Sequence, residues 1–354
     1  MRLFKDKYFR ILAILAIVFF IIYSFLPISQ LVWQNQSRVL GMKFNTPDEV
    51  INYYFSVQYA KTSELYYFEP LDNFAQRVIF PRWAYVVESK ITPGNFLGID
   101  LIYGSLAKIF STSIIVFLTP LFAVLGVLFF YLLIKLFFED KQDSSTQGHG
   151  ASPIAFVSAL LMFIFPGFWY YASRTMFHNV LFLSLLIMGL YFLIKLLNTN
   201  KNKLCISILT GLFLGLALIT RTSEIVWVFL LVLFILSRVP GIKFKKLKNL
   251  WLYLLLSLVI FSFCFIPVLY QHKILYNNYF STGYPIHTVS SNLESGEIQS
   301  INYFQALVLP FGFHPRVMLF HVFYKYILNL FWLWIILYFA GLIVFLKIKK
   351  TEKE

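Results

Sequence analysis

Apolar residues in this 354-residue chain gather into long unbroken runs, not into short alternating stretches. A helix that crosses a bilayer needs about 20 mostly apolar residues. Runs that meet or approach that length lie at 11–32, 113–138, 152–168, 177–197, 204–220, 224–238, 250–270 and 327–346. The pattern predicts an all-α polytopic membrane protein with about eight transmembrane helices in one domain over 1–346. Two long intervals, 33–112 and 271–326, separate the runs, and two short ones fall near 169–176 and 221–224. The first run follows the basic stretch MRLFKDKYFR and ends without a small-residue cleavage site, so it is expected to stay as an anchor.

Inside the first long interval the periodicity changes. In FNTPDEVINYYFSVQYA, residues 44–60, Thr46 suits an N-cap, Pro47 the first helical position and Glu49 the third, which completes a capping box. Val50, Tyr53, Tyr54 and Val57 then recur at helical spacing and predict an amphipathic helix on the membrane surface. Residues 96–110 predict a second loop helix, with Leu97, Leu101, Tyr103 and Leu106 apolar and Asp100 and Lys108 as polar interruptions.

Composition removes the soluble classes. The chain is 59% hydrophobic and 13% charged, outside the range of soluble domains. Its 30 cations against 16 acids give +14, but they are scattered between apolar runs and form no basic domain, so no nucleic-acid partner is implied. With the N-terminus inside, 18 of the 30 fall on short inner segments, and the rest spread over longer outer ones. The positive-inside rule therefore places both termini in the cytoplasm, 347–354 as a basic cytoplasmic tail, and the long loops on the outer face of the cell membrane. Cys205 and Cys264 fall near opposite ends of different predicted spans, so no disulfide is expected. Gly211 and Gly215 form GxxxG, a helix-packing pattern.

The chemistry-bearing residues concentrate in the outer segments. Asp48 and Glu49 open the first loop helix; both suit a helix start, but the capping box uses Glu49 and not Asp48. Arg174 and His178 are four apart, hence expected on one helix face. Arg221 and Glu224 stand between two apolar runs, where an arginine is costly unless paired or functional. Arg82 follows Pro81 in the first loop, and the last loop carries Tyr284, His314 and Arg316 beside glycines and prolines. His314 and His321 are seven apart without a third ligand, so a metal site is not predicted there. No cofactor is implied with certainty, and a divalent metal stays open. The chain holds no GxSxG, P-loop, HExxH or dinucleotide fingerprint. A polyprenyl-phosphate sugar fits what is present. The membrane delivers it, its phosphate leaves readily, and the protein needs only a base for the acceptor hydroxyl and cations for the phosphate.

The order of these features resembles the GT-C superfamily of integral-membrane glycosyltransferases, in its branch of dolichyl-phosphate-mannose protein mannosyltransferase-like and aminoarabinose transferase-like enzymes (glycosyltransferase family 39-type). The resemblance rests on PDEVINYY after the first span, LIYGSLAKIF, FPGFWYYASRTMFHN, GLFLGLALITRTSE and YFSTGY, in that order over about 1–345. It implies an inverting hexosyltransferase that moves a sugar from a polyprenyl phosphate to a glycan, lipid or protein acceptor at the outer face. Carried over, Asp48 is the base with Glu49 beside it. Arg221, Arg174, His178 and Arg316 are donor-phosphate contacts, and Tyr53, Tyr54, Arg82, Tyr103, Tyr284 and His314 shape the substrate cavity. The rival readings are a transporter or flippase of lipid-linked sugars and a non-catalytic membrane scaffold.

Overall fold

The structure, a computed structural model, describes residues 6–25, 27–29, 44, 46–72, 74, 84–87, 89–139, 151–199, 201–238, 244–280, 320, 323–325, 328 and 331–351. Of these, 84% are helical. The chain divides into two compact units, Met1–Glu297 and Ile298–Glu354. The helices of the first are α1 (Lys7–Tyr23), α2 (Pro47–Thr62), α3 (Gly98–Ile109), α4 (Ile115–Glu139), α5 (Ala151–Ile164), α6 (Pro166–Ser173), α7 (His178–Asn198), α8 (Lys203–Thr220), α9 (Ile225–Arg238) and α10 (Phe244–Tyr276). The second unit contributes α11 (Trp332–Thr351).

Among the described residues, four helices are long and apolar enough to cross a membrane: Thr112–Phe138, His178–Asn198, Lys203–Thr220 and Leu250–Tyr276. A fifth is obtained if Ser152–Ile164 and Pro166–Ser173, bent by 58° at Phe165, count as one span. The expected eight is therefore not reached by length and composition among the described residues. The first run gives α1, of 17 residues, and, like the run at 327–346, lies partly outside the described residues; the run at 224–238 forms a short apolar helix. The break in the third run has a local cause. Pro166 begins α6 and has no N–H to continue the α5 ladder. The Tyr23 hydroxyl of α1 donates to the Phe163 carbonyl at 2.7 Å, which satisfies an acceptor at the interrupted helix end.

Around α7 the first unit is assembled. In its crossing window 83% of residues are buried, against 11% for Leu250–Tyr276 on α10. α7 packs on α4 and α8, α8 packs on α10, and α1 packs on α4 and α5. Lipid tails give helices no apolar drive to associate, so close approach of small residues matters more. A methyl added at Gly211 would strike the Ser257 carbonyl of α10, and one at Gly215 would come within 2.8 Å of Cys264 Sγ. The GxxxG pair is thus the α8–α10 packing seam.

At one end of the unit lie α2, α3 and a small antiparallel sheet of β1 (Tyr67–Phe68), β2 (Ala84–Val87) and β3 (Lys90–Pro93), in the order β1-β3-β2. The sheet departs from an all-α expectation; its strands of two to four residues are set by pairing at a distance, Tyr67 with Ile91 and Tyr85 with Thr92. Phe55, Leu65, Leu97, Leu101, Ile219, Val268 and Leu275 form a buried cluster that joins α2 and α3 to the ends of α8 and α10. Each such side chain contributes about 1.5–3 kcal/mol when taken from water. Gly98 fits α3 against α8: a methyl there would collide with the Ile219 carbonyl.

The opposite end is held by Asp6, the N-cap of α1. Asp6 Oδ1 accepts from the Tyr8 and Phe9 amides, and Oδ2 from the Tyr131 hydroxyl (2.6 Å), Lys135 Nζ (2.6 Å) and the Ser152 hydroxyl (3.2 Å). Burial alone would raise this carboxyl's pKa, but the hydrogen bonds from Lys135 and Tyr131 bring it down to about 2.

Candidate active site

Residues 174–179, the turn between α6 and α7 together with the first two residues of α7, are the meeting point of the end that carries α2 and α3. Sequence spacing places Arg174 and His178 on one helix face; instead α6 stops at Ser173, Arg174 takes extended backbone and α7 starts at His178. The two side chains leave this turn toward different partners. Arg174 reaches α2: Nε lies 3.2 Å from Glu49 Oε1 and Nη2 lies 2.6 Å from Glu49 Oε2. Its Nη1 donates to the Tyr170 hydroxyl at 3.0 Å, and the guanidinium sits over the Tyr170 and Phe177 rings. The Glu49 hydrogen bonds and charge raise the Arg174 pKa above its ordinary value.

Glu49 is 3% exposed and also completes the predicted capping box, accepting at Oε2 from the Thr46 amide (3.2 Å) and hydroxyl (3.0 Å). One carboxylate therefore closes the first turn of α2 and ties it to the 174–179 turn. Asp48, the preceding residue, is half-buried and takes no part in the box.

The face that α2 buries differs from the expected apolar one. Val50, Tyr53 and Val57 are half-buried and Tyr54 is exposed, while the buried residues are Glu49, Asn52, Phe55 and Ser56. This polar stripe turns inward because each group finds a partner there, as buried polar groups require. Asn52 Nδ2 donates to the Met176 carbonyl at 2.6 Å, and Asn52 Oδ1 accepts from Asn95 Nδ2. Ser56 Oγ donates to Asp100 Oδ1 at 3.3 Å. α2 is thus packed on α3 and residues 174–179 through polar bonds as well as through Phe55, Tyr53 and Val57.

The same turn holds three more elements. The Thr119 hydroxyl of α4 donates to the Thr175 carbonyl and is bonded to the Tyr103 hydroxyl at 2.7 Å. His178 Nε2 donates to the Phe96 carbonyl at 3.2 Å, just before α3. Asn179 Oδ1 accepts from Arg221 Nη1 at 2.5 Å, at the end of α8. Arg221 Nη2 also pairs with Glu224 Oε1 at 2.8 Å, the pairing expected from sequence, and Glu224 accepts from Trp227 Nε1. Arg221 Nε is buried with no hydrogen-bond partner among the described residues.

Of the residues singled out in the sequence, Asp48, Glu49, Arg174, His178 and Arg221 are brought to the elements around this turn. Tyr53 packs on Phe44 and Tyr54, and Tyr103 is fully buried in the core against Phe122. Arg82, Tyr284, His314, Arg316 and His321 lie outside the described residues. Sequence reasoning missed Asn52, Ser56, Asn95 and Asn179. The first two were signalled: with Glu49 they recur at 49, 52 and 56, a polar stripe at helical spacing. Asp100, read as an interruption of an apolar face, is 0% exposed and has Oδ2 without a partner among the described residues. Burial pushes its carboxyl well above the usual range, against a smaller lowering by the Ser56 hydroxyl.

Comparison with protein-family models, with curated proteins and with solved structures gives no match to this chain, so the site is read from its own residues.

Proposed function

We propose that this chain is a membrane glycosyltransferase that moves a sugar from a polyprenyl-phosphate donor to an acceptor hydroxyl, with inversion, at the outer face of the cytoplasmic membrane. The observation that supports it is the convergence on the 174–179 turn. That turn ties the Asp48-bearing first turn of α2, through Glu49, to the same short segment that bonds Arg221, through Asn179. A base and a cation held by one rigid turn suit a reaction that needs both in register.

In this reading Asp48 takes the proton of the acceptor hydroxyl as its oxygen attacks the anomeric carbon from the side opposite the phosphate. The bond from that carbon to the phosphate oxygen breaks, and the departing polyprenyl phosphate keeps the electron pair. Arg221 is assigned to the growing negative charge through Nε, which has no hydrogen-bond partner among the described residues, while Nη1 and Nη2 hold Asn179 and Glu224. Phosphate is a good enough leaving group that no acid partner is required, unlike the carboxyl pair of glycoside hydrolysis. Arg174 is already engaged by Glu49, so its role is to hold α2 in place. Orientation follows from charge: Lys7, Arg10, Lys135, Lys195, Lys201, Lys203, Lys245, Lys246 and Lys248 belong to the end opposite α2 and α3, against Lys61, Lys90, Lys108, Arg174, Arg221 and Lys273 at the other, which favours the first end as cytoplasmic.

The 58° break between α5 and α6 is the observation that favours transport of a lipid-linked sugar, since transporters bind at broken helices. Purified protein in vesicles, offered a panel of radiolabelled polyprenyl-phosphate sugars with sugar-hydroxyl and protein acceptors, separates the two. Labelled product supports transfer. Labelled lipid that crosses leaflets with no product supports transport and overturns transfer.

A further inference from the structure

Two buried oxygens, one just before α3 and one on it, lack hydrogen-bond partners among the described residues, and their needs are complementary. Asn95 is 4% exposed; its Nδ2 donates to Asn52, which fixes the amide's orientation and leaves Oδ1 as an acceptor with nothing to accept. Asp100 is 0% exposed; its Oδ1 accepts from Ser56, and Oδ2 stands alone. The residues of α2 that they bond, Asn52 and Ser56, are four apart and lie one above the other on a single helix face. Both orphans therefore belong to one polar ladder, running from the Met176 carbonyl through Asn52 and Asn95 on one rung and through Ser56 and Asp100 on the next.

An orphaned acceptor beside an ionised carboxylate would leave two buried lone-pair groups with no donor, and an isolated buried charge is more costly still. Among the described residues, the charged and titratable groups on the elements around α3 supply no counter-charge: Lys90 lies over the Tyr66 ring and Lys273 bonds the Asn277 carbonyl. Glu49 is taken by Arg174, Arg221 by Asn179 and Glu224, His178 by the Phe96 carbonyl and His272 by the Tyr279 carbonyl. Lys135 is paired with Asp6, and Lys108, the cation of α3 itself, donates to Ser63. Burial and the Ser56 hydroxyl are the influences that act on the Asp100 carboxyl.

We infer that Asp100 is kept as the neutral acid and that its Oδ2–H serves Asn95 Oδ1, directly or across one buried water, closing the ladder that seats α2 on α3. Asp100 is then a positioning residue. It holds the helix whose first turn carries Asp48, and only this last consequence rests on the transferase reading. A buried site with polar partners on both sides is where an ordered water is retained.

Infrared difference spectroscopy at neutral pH, wild type minus Asp100→Asn, tests it without any activity assay. The expected result is a protonated-carboxyl C=O band in the wild type. Asn95→Leu should then move that band to higher frequency, as the O–H loses its acceptor. Ionised-carboxylate bands in the difference spectrum would overturn the neutral acid and point to a bound cation instead; a band unmoved by Asn95→Leu would overturn the pairing. Hydrogen exchange over residues 47–56 gives the positioning role its own readout. Asp100→Asn, whose amide still offers a donor, keeps wild-type protection, whereas Asp100→Leu exchanges about tenfold faster or more. Equal protection in Asp100→Leu would overturn the positioning role, whether or not the wild type transfers sugar.

Discussion

Arg174 meets Glu49 across 125 residues of sequence through two hydrogen bonds, 3.2 Å from Nε to Oε1 and 2.6 Å from Nη2 to Oε2. Their side chains are 13% and 4% exposed. This pair turns a helix-capping residue into the joint between α2 and the 174–179 turn, and the site assembled there depends on it.

Removing one partner of a pair this buried leaves the other charge unmatched and costs about 3–5 kcal/mol. Arg174→Ala is therefore expected to lower the unfolding midpoint in detergent markedly. Arg174→Lys recovers only part of the loss, because an ammonium cannot reproduce the fork. A midpoint unchanged in Arg174→Ala would show that the joint contributes little.

The α8–α10 seam predicts a steric result. Gly211→Leu pushes a side chain into the Ser257 carbonyl and is expected to cost about 1–3 kcal/mol. Gly341 is the control, since a methyl there meets nothing within 4 Å among the described residues. Gly341→Leu should leave the midpoint within about 0.5 kcal/mol of wild type. Equal effects at the two glycines would contradict the packing account.

Asp6 predicts a pH dependence. Its folded pKa, about 2, lies below the ordinary 3.8, so folding favours the ionised form. That contribution, about 2 kcal/mol, is fully present above about pH 5 and is lost as pH falls from near 4 toward 2. The stability difference between wild type and Asp6→Asn should shrink over that window. A difference that stays constant with pH would rule out the Lys135 and Tyr131 bonds as its source.

Arg221 predicts a binding effect. Arg221→Ala removes the guanidinium whose Nε has no partner among the described residues and should weaken polyprenyl-phosphate sugar binding about 10- to 100-fold. Arg174→Ala, measured on the fraction that remains folded, should weaken it less. Donor affinity unchanged in Arg221→Ala would remove that residue from the phosphate site.

What the sequence reveals about this site divides by distance along the chain. The capping box is legible because Thr46 and Glu49 are three residues apart and complete it alone. The second loop helix is legible from its apolar spacing, and it runs Gly98–Ile109 within the expected 96–110. Arg174 as the partner of Glu49 is not legible, because only the fold brings positions so remote together. The inward polar face of α2 is hidden for the same reason. Asn52 and Ser56 look like surface residues until the Met176 carbonyl and Asp100 arrive to satisfy them. The break at Pro166 was present in the sequence as a proline near the end of an apolar run. Hydropathy over a window averages across such a break, which is why the run at 152–168 reads as one straight span.

The central claim is that Asp48, and not its neighbour Glu49, performs the chemistry. The most direct measurement is the rate of labelled sugar transfer from polyprenyl phosphate by purified Asp48→Asn, with folding and donor affinity checked on the same sample. The account predicts a loss of about 10²- to 10⁴-fold at an unchanged midpoint and unchanged donor affinity, because only the base is missing. Transfer at the wild-type rate by folded, donor-binding Asp48→Asn would contradict it.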